Sequence, residues 1–133
     1  MSILNYLIAS KFERRPGASS TAVEALLETF PNLPQDYINL LREMNGGEGQ
    51  VGEQPVELFS SEELTVQNEG MRVSEFAPGF LIFGTDCANE GFAFDTRAQP
   101  WVLGRIPLVG MSPKEFIPMG ADMEEFLRAV YES

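Results

Sequence analysis

The stretch that decides the fold is FLIFGTD at residues 80–86, followed after a short turn by GFAFD at residues 91–95. Aromatic and β-branched side chains dominate both runs, which is typical of strands. The residues between the runs are polar or small and lie between Gly84 and Gly91. The sequence therefore predicts two hydrophobic strands joined by an acidic turn, in which both glycines supply permissive backbone.

Upstream of these strands, the sequence predicts a helix from the LPQDY segment at Leu33 to about Met44. Pro34 suits a first-turn position, and Gly46 can take the left-handed conformation beyond the helix end. Four apolar side chains recur at the spacing of one helix face, so we expect them in the core: Tyr37, Leu40, Leu41 and Met44.

Capping signals predict three further helices. One is expected near Thr21, because Thr21 and Glu24 have the spacing of a capping box. A second is expected after residues 56–59, where Ser60 or Ser61 supplies the cap. The last covers about residues 122–131 and has acidic side chains in its first turn, where the helix dipole favours them.

Residues 46–52 are expected to be a flexible, glycine-rich stretch, whereas residues 56–59 and 101–103 read as strands. Strands and helices do not alternate as βαβ units. The predicted class is therefore α+β, with a largely antiparallel sheet packed against helices in a single domain.

A chain of 133 residues indicates one domain with one core. We expect residues 22–133 to form the domain and residues 1–21 to be an amino-terminal extension with a short helix packed on it. No stretch approaches the roughly 20 apolar residues of a membrane span. The amino terminus lacks a basic leader, so the expected location is the cytoplasm, with which a single cysteine agrees.

The sequence contains no histidine. Its absence excludes Ser-His-Asp and Cys-His nucleophile systems, histidine-ligated zinc and histidine general bases. An enzyme built from this chain would have to work with carboxylates, tyrosine, lysine or backbone groups.

The net charge of −11 is concentrated in the middle of the chain. Residues 43–96 hold one cation, Arg72, and eleven anions, which gives −10, whereas residues 1–42 sum to zero and residues 97–133 to −1. An acidic middle disfavours nucleic acid and anionic membranes as partners and attracts a basic macromolecule. The same carboxylates can also serve only as a solubility coat.

The turn between the two strands does not fit a known ion-binding loop. It lacks the Gly-Lys-Ser/Thr ending of a phosphate loop. As a calcium loop starting at Asp86 it places Ala88 and Arg97 where oxygen ligands are required. We therefore expect no metal and no cofactor, and we expect Asp86 or Asn89 to bond to nearby amides.

Glycoside hydrolysis needs two carboxyl groups that face one sugar, and the candidates near the turn are Asp86, Glu90 and Asp95. A domain of this size leaves little room for a substrate cleft, so we do not expect catalysis. Neighbouring carboxylates disfavour a Cys87 thiolate, so we interpret Cys87 as a small packing residue. Trp101 could anchor an interface, but its neighbours Val102 and Leu103 favour a place in the core.

Taken in order, these motifs resemble the SUKH superfamily, also called the Smi/Knr-type domain. The resemblance covers about residues 22–131, although the chain has Cys87-Ala88-Asn89 in place of a glycine-rich turn. Its parts are the Leu-Pro-x-x-Tyr helix with its Asn-Gly-Gly ending, Ser-x-Glu-Glu-Leu, the two strand motifs and a closing Met-Glu-Glu-Phe-Leu helix. The resemblance implies a sheet backed by helices, with no catalytic residues and no cofactor.

Bacterial members of the superfamily are largely immunity proteins, so the resemblance implies a cytoplasmic protein that neutralises a cognate toxin, such as a nuclease, by occluding it. The acidic charge fits a basic toxin domain. A regulatory module that binds a host cell-envelope or signalling protein is the alternative, and a small carboxylate-based enzyme is a third reading. Self-association stays open.

We predict the partner-binding residues from their flexible or turn positions within the acidic middle of the chain. They are Glu48, Glu53, Asp86, Asn89 and Glu90.

Overall fold

A computed structural model of the chain describes residues 11–97 and 99–133. In these ranges, seven strands form one sheet in which each strand pairs antiparallel with its neighbour in sequence. The strands are β1 (Phe12–Arg14), β2 (Gly47–Val51), β3 (Gln54–Leu58), β4 (Phe80–Thr85), β5 (Glu90–Asp95), β6 (Val102–Pro107) and β7 (Ile117–Gly120). The predicted α+β class is confirmed. The short helix predicted for the amino-terminal extension lies outside the described residues.

Five α-helices accompany the sheet in the described part of the chain. They are α1 (Ser20–Thr29), α2 (Gln35–Glu43), α3 (Ser61–Gly70), α4 (Val73–Phe76) and α5 (Met123–Glu132). Ser60 caps α3, as one of the two predicted candidates, and forms a capping box with Glu63, while Asp122 caps α5. Helix α1 is capped by Ser19, whose Oγ accepts from the Ala22 N–H. The predicted capping box of Thr21 and Glu24 was therefore wrong.

Helices α2 and α5 pack on one side of the sheet, the core face. The Tyr37 ring of α2 lies 5.9 Å from Phe83 and 5.1 Å from Phe94, between ring centroids. Phe126 of α5 lies 5.3 Å from Phe83 and 5.1 Å from Phe92. The edge contacts between these rings add to apolar burial, and the phenylalanines of both deciding strands are buried as expected.

The opposite side of the sheet divides into two parts. Over β4–β6, the connection between β6 and β7 covers it, because Leu108 approaches Gly91 and Phe116 approaches Gly104. Over β1–β3, the side chains at alternate positions stay exposed or half-buried. We call this second part, which carries Glu13, the open face.

The prediction that Gly84 and Gly91 supply permissive backbone in the turn was wrong. Both lie inside strands and neither has a left-handed φ. A side chain at Gly84 would collide with the backbone oxygen of Glu57, and one at Gly91 would lie 2.9 Å from Leu108 Cδ2. Close packing between chain segments therefore requires these glycines, whereas the left-handed residue of the turn is Cys87, with φ of 65°.

The stretch predicted to be flexible, residues 46–52, contains strand β2. Its glycines let β1 approach, because a Cβ at Gly49 would lie 2.7 Å from the Phe12 Cα. Strands β1 and β7 and helix α4 were not predicted. With only three or four residues each, they are too short to show a hydrophobic period.

Asn68 of α3 closes a gap in the sheet. Strand β3 pairs with β4 over only two residue pairs before the chain turns into α3. Beyond them, the Ile82 N–H donates to Asn68 Oδ1 at 2.8 Å, and Asn68 Nδ2 donates to the Ile82 carbonyl at 2.7 Å. The amide thus replaces a strand partner for the buried Ile82 backbone.

Candidate partner-binding surface

Strand register brings three glutamates into one row across the open face. Glu13 lies opposite Glu48, and Glu48 lies opposite Glu57. Directly opposed residues of antiparallel strands have Cβ atoms about 4.5–5.5 Å apart. Glu13 and Glu48 are exposed and Glu57 is half-buried. We call Glu13, Glu48 and Glu57 the glutamate row.

Arg15 lies beside the glutamate row and partly offsets its charge. Its guanidinium pairs with the Glu63 carboxylate, which also accepts from the Ser60 N–H at 2.9 Å. The hydrogen bond from Arg15 to Glu63, together with the charges of Glu63, Glu57 and Glu48, raises the pKa of Arg15. One guanidinium therefore interacts with several carboxylates, and the open face keeps an excess of negative charge.

Burial and neighbouring like charges together disfavour the ionised form of Glu57. Partial burial raises the pKa of its carboxyl, and the negative charges of Glu63 and Glu48 raise it further, against the opposing effect of Arg15. Ionised Glu57 is therefore unfavourable in the folded state. The glutamate row is an arrangement that the fold tolerates at some expense of stability.

We expect Glu57→Gln to increase the free energy of unfolding at pH 7 by about 0.5–1 kcal/mol, the order of one unfavourable cross-strand pair. Since the folded pKa of Glu57 is raised, the carboxylate destabilises the fold above that pKa, and the penalty disappears as pH falls and the group becomes protonated. The gain should vanish below about pH 3. Urea unfolding across this range measures it.

Glu53→Gln, at an exposed position of the β2–β3 turn, is the control and should change stability at pH 7 by less than about 0.5 kcal/mol. One molar salt should reduce the Glu57→Gln gain through screening. A loss of stability at pH 7, or the same gain at pH 3, would show that Glu57 is not under like-charge strain.

The β4–β5 turn is held by its own acidic residue. Asp86 Oδ1 accepts from the Ala88 N–H at 2.9 Å and from the Glu90 N–H at 3.0 Å, which confirms its predicted role. The backbone oxygen of the exposed Asn89 accepts from the Leu108 N–H at 2.8 Å. These bonds fix the turn against the β6–β7 connection.

Asp86 and Glu90 also line a cavity of about 60 Å³ on the core-face side of the sheet, at the carboxyl-terminal end of α5. Its other lining residues are Gln54, Phe92, Arg105, Met119, Val130 and Ser133. Glu90 Oε2 is buried without a hydrogen-bond partner. The negative end of the α5 dipole adds to the two carboxylates, so the cavity favours a cationic group despite Arg105.

The structure brings some of the predicted partner-binding residues together. Asp86 and Glu90 share the cavity, and Glu53 lies in the β2–β3 turn next to Gln54, another lining residue. Glu48 instead lies on the open face, in a strand and not in the flexible segment that suggested it. Asn89 is exposed in the β4–β5 turn.

Cys87 lies in the turn that carries Asp86 and Glu90, next to the glutamate row. It is exposed, so its interpretation as a packing residue was wrong. Partial desolvation of the thiol and then the charges of Glu57, Glu48 and Asp86 raise its pKa. The thiolate is thus disfavoured as predicted, and the charges of Glu48 and Asp86 reach the same point of the surface.

Sequence reasoning missed Glu13 and Glu57 as members of the acidic surface. Neither residue stands out in the sequence, because only the pairing of β1 with β2 and of β2 with β3 aligns them with Glu48. Trp101 was placed correctly, since it is 9% exposed and packs 5.6 Å from Phe94.

Within residues 11–97 and 99–133, no group of three or more acidic or cysteine side chains is arranged to hold a metal ion. In the same ranges, no helix has the length and apolar character needed to cross a membrane.

Fold and surface together define a single α+β domain whose meandering antiparallel sheet presents an acidic open face. The chain belongs to the SMI1 / KNR4 family (SUKH-1), whose family model matches residues 17–129. The family membership indicated by the sequence motifs is confirmed. No curated protein matches the chain.

Proposed function

We propose that this chain is a non-catalytic immunity protein that neutralises a cognate toxin by binding and covering it. The SUKH family, to which the chain belongs, is known for immunity-protein-like domains. Under this proposal the protein acts in the cytoplasm, takes no cofactor and needs no active site. Its partner is a basic protein domain.

The glutamate row is the observation that carries this proposal. Glu13, Glu48 and Glu57 repel one another on an exposed sheet face, so their alignment adds nothing to the stability of the free domain. A basic partner would relieve that repulsion on binding and would be steered to the acidic face during encounter. Toxins that act on nucleic acid carry such basic surfaces.

The predicted residues have two roles in the proposed complex. Glu48 and Glu53 present exposed charge that attracts the partner. Asp86, Asn89 and Glu90 form an ordered turn beside a cavity of about 60 Å³, which can admit the ammonium end of one lysine side chain and offers the unpartnered Glu90 Oε2 as its acceptor. Occlusion follows because a partner held on the acidic face loses access to its own anionic ligand.

Co-expression with a toxin domain encoded next to this chain tests the proposal. We expect cells that make the toxin domain alone to lose viability and cells that also make this chain to survive, with the two proteins purifying as a stoichiometric complex. Purified chain should inhibit the toxin in proportion to complex formed. Survival without a complex, or a complex without inhibition, would contradict neutralisation by occlusion.

The alternative from the sequence, a regulatory module that binds a host cell-envelope or signalling protein, predicts a different result. The chain would then purify with a host protein, and its removal would change growth in the absence of any toxin. A solitary gene would agree with that alternative, whereas a toxin gene immediately upstream agrees with immunity.

A further inference from the structure

Arg105 lines the cavity of about 60 Å³ at Asp86 and Glu90, and the proposed function gives it no role. Its side chain is exposed on β6. In a chain of net charge −11, a guanidinium that shares a cavity with two carboxylates is expected to pair with one of them. Arg105 nevertheless forms no ion pair with any carboxylate in residues 11–97 and 99–133. Its guanidinium is therefore available to an anionic group from outside the domain.

Strand register shows that Arg105 and Glu90 are close enough to pair directly. Phe92 lies opposite Arg105, and Glu90 precedes Phe92 by two residues, so all three share one face of the sheet. Diagonal neighbours of this kind lie about 7–8 Å apart, within reach of a long side chain. Glu90 Oε2 is nevertheless buried without a hydrogen-bond partner. Two opposite charges thus line one cavity without pairing with each other.

The remaining lining residues limit the size and the polarity of an occupant. Phe92, Met119 and Val130 supply an apolar wall beside the two charges. A cavity needs about 10–15 Å³ to hold one water molecule, so this cavity has room for about four to six non-hydrogen atoms. An occupant is therefore a small molecule with one compact apolar part.

The two unpaired charges specify the occupant further. A lone cation in the cavity is opposed by Arg105, and a lone anion is opposed by Asp86 and Glu90. A molecule with an ammonium and a carboxylate on the same carbon meets both needs, through charge-assisted hydrogen bonds to Glu90 and Arg105. Glycine and alanine are such molecules, and their roughly five or six non-hydrogen atoms match the volume of the cavity.

We propose that this cavity binds a small zwitterion, a free α-amino acid of the size of glycine or alanine. Its ammonium group binds Glu90, its carboxylate binds Arg105, and its side chain lies against the apolar wall. The site belongs to the free domain and does not depend on the partner being a toxin. A partner lysine that enters the same cavity, as in the proposed function, competes with the amino acid for Glu90.

Titration of the ¹⁵N-labelled chain with L-alanine tests the site, and the readouts are the Glu90 amide and Arg105 Nε–H signals. We expect saturable shifts with half-saturation near about 1 mM, an affinity that so few atoms can provide. Alaninamide lacks the carboxylate and N-acetylalanine lacks the ammonium, so each should bind at least about tenfold more weakly than alanine. Free phenylalanine should bind equally weakly, because its ring exceeds the volume of the cavity.

Variants separate the two ends of the site. Arg105→Gln should weaken alanine binding at least about tenfold without weakening alaninamide, because only the contact with the carboxylate is lost. Glu90→Gln should weaken alanine binding by a similar factor through loss of the contact with the ammonium group. The matched controls Lys114→Gln and Glu115→Gln change exposed residues outside the cavity and should leave alanine binding unchanged.

The proposal is overturned if neither glycine nor alanine gives a saturable shift up to about 50 mM. Equal binding of alaninamide or N-acetylalanine, or full binding of alanine by Arg105→Gln, would overturn it too. These titrations use the chain without a partner. Their failure therefore leaves toxin neutralisation standing, and failure of the co-expression test leaves the amino-acid site standing.

Discussion

Association with the cognate partner should slow about 10- to 100-fold at low salt when the charges of the predicted acidic residues are removed or reversed, because steering by complementary charge raises association rates by such factors. Stopped-flow or surface-based kinetics at about 20 mM salt measures the rate, and the difference should shrink at about 500 mM salt, where the Debye length is only a few ångströms. The changes are Glu48→Lys, Glu53→Lys, Asp86→Asn and Glu90→Gln.

These replacements preserve the local structure. Lysine is tolerated at Glu48 and Glu53 because both side chains are exposed. Asparagine keeps an oxygen that can accept from the Ala88 and Glu90 N–H groups, as Asp86 does. Slower association can therefore be assigned to charge and not to a damaged turn.

A control variant with the same net charge separates local from global electrostatics. It changes four exposed acids away from the glutamate row and the cavity by the same six charge units: Glu24→Lys, Glu28→Lys, Glu43→Gln and Glu115→Gln. At about 150 mM salt, where the Debye length is about 8 Å, its association rate should stay within about threefold of the wild-type rate, whereas the first variant should still be slower. Unchanged rates for the first variant at low salt would remove the predicted residues from the interface.

The largest expected effect on stability belongs to Asn68. Asn68→Leu should lower the free energy of unfolding by about 2–4 kcal/mol, because it leaves a buried N–H and a buried carbonyl of Ile82 without partners. Chemical denaturation measures the loss. Hydrogen exchange at the Ile82 amide should also accelerate more than at the amides of β5 and β6, which keep their strand partners.

Asn39→Leu provides the matched control. Asn39 is an exposed residue of α2 whose side-chain oxygen accepts from Gln35 Nε2 at 2.9 Å. Its replacement should change stability by less than about 0.5 kcal/mol. If Asn68→Leu were as stable as the wild type, the amide would not be substituting for a strand.

Four of the five described helices and the two central strands could be predicted because their signals are local. Tyr37, Leu40 and Leu41 reveal a buried helix face by spacing alone, and a serine at residue 60 or 61 indicates a helix start because it can cap the first turn. The run of phenylalanines in β4 and β5 likewise indicates burial without any knowledge of pairing. Each of these features depends on residues close together in sequence.

The acidic surface could be predicted only in part. Charge counting found an acidic middle, and turn chemistry found Asp86, but nothing local indicated that Glu13 belongs with Glu48. The same limit applies to Gly84. This position requires glycine because the Glu57 backbone lies too close for a side chain, and not because of a turn conformation. Short β1 was missed because three residues carry no readable period.

By itself, therefore, the sequence determined the class of the domain, its family motifs, the sign of its charge and part of its core, including the Tyr37 helix face and the phenylalanines of β4 and β5. Only the tertiary structure decided which carboxylates share a face and that Asn68 replaces a strand partner for Ile82. The physical reason is that capping, periodicity and burial act between near neighbours in the chain, whereas strand register is set by contacts between residues far apart in sequence.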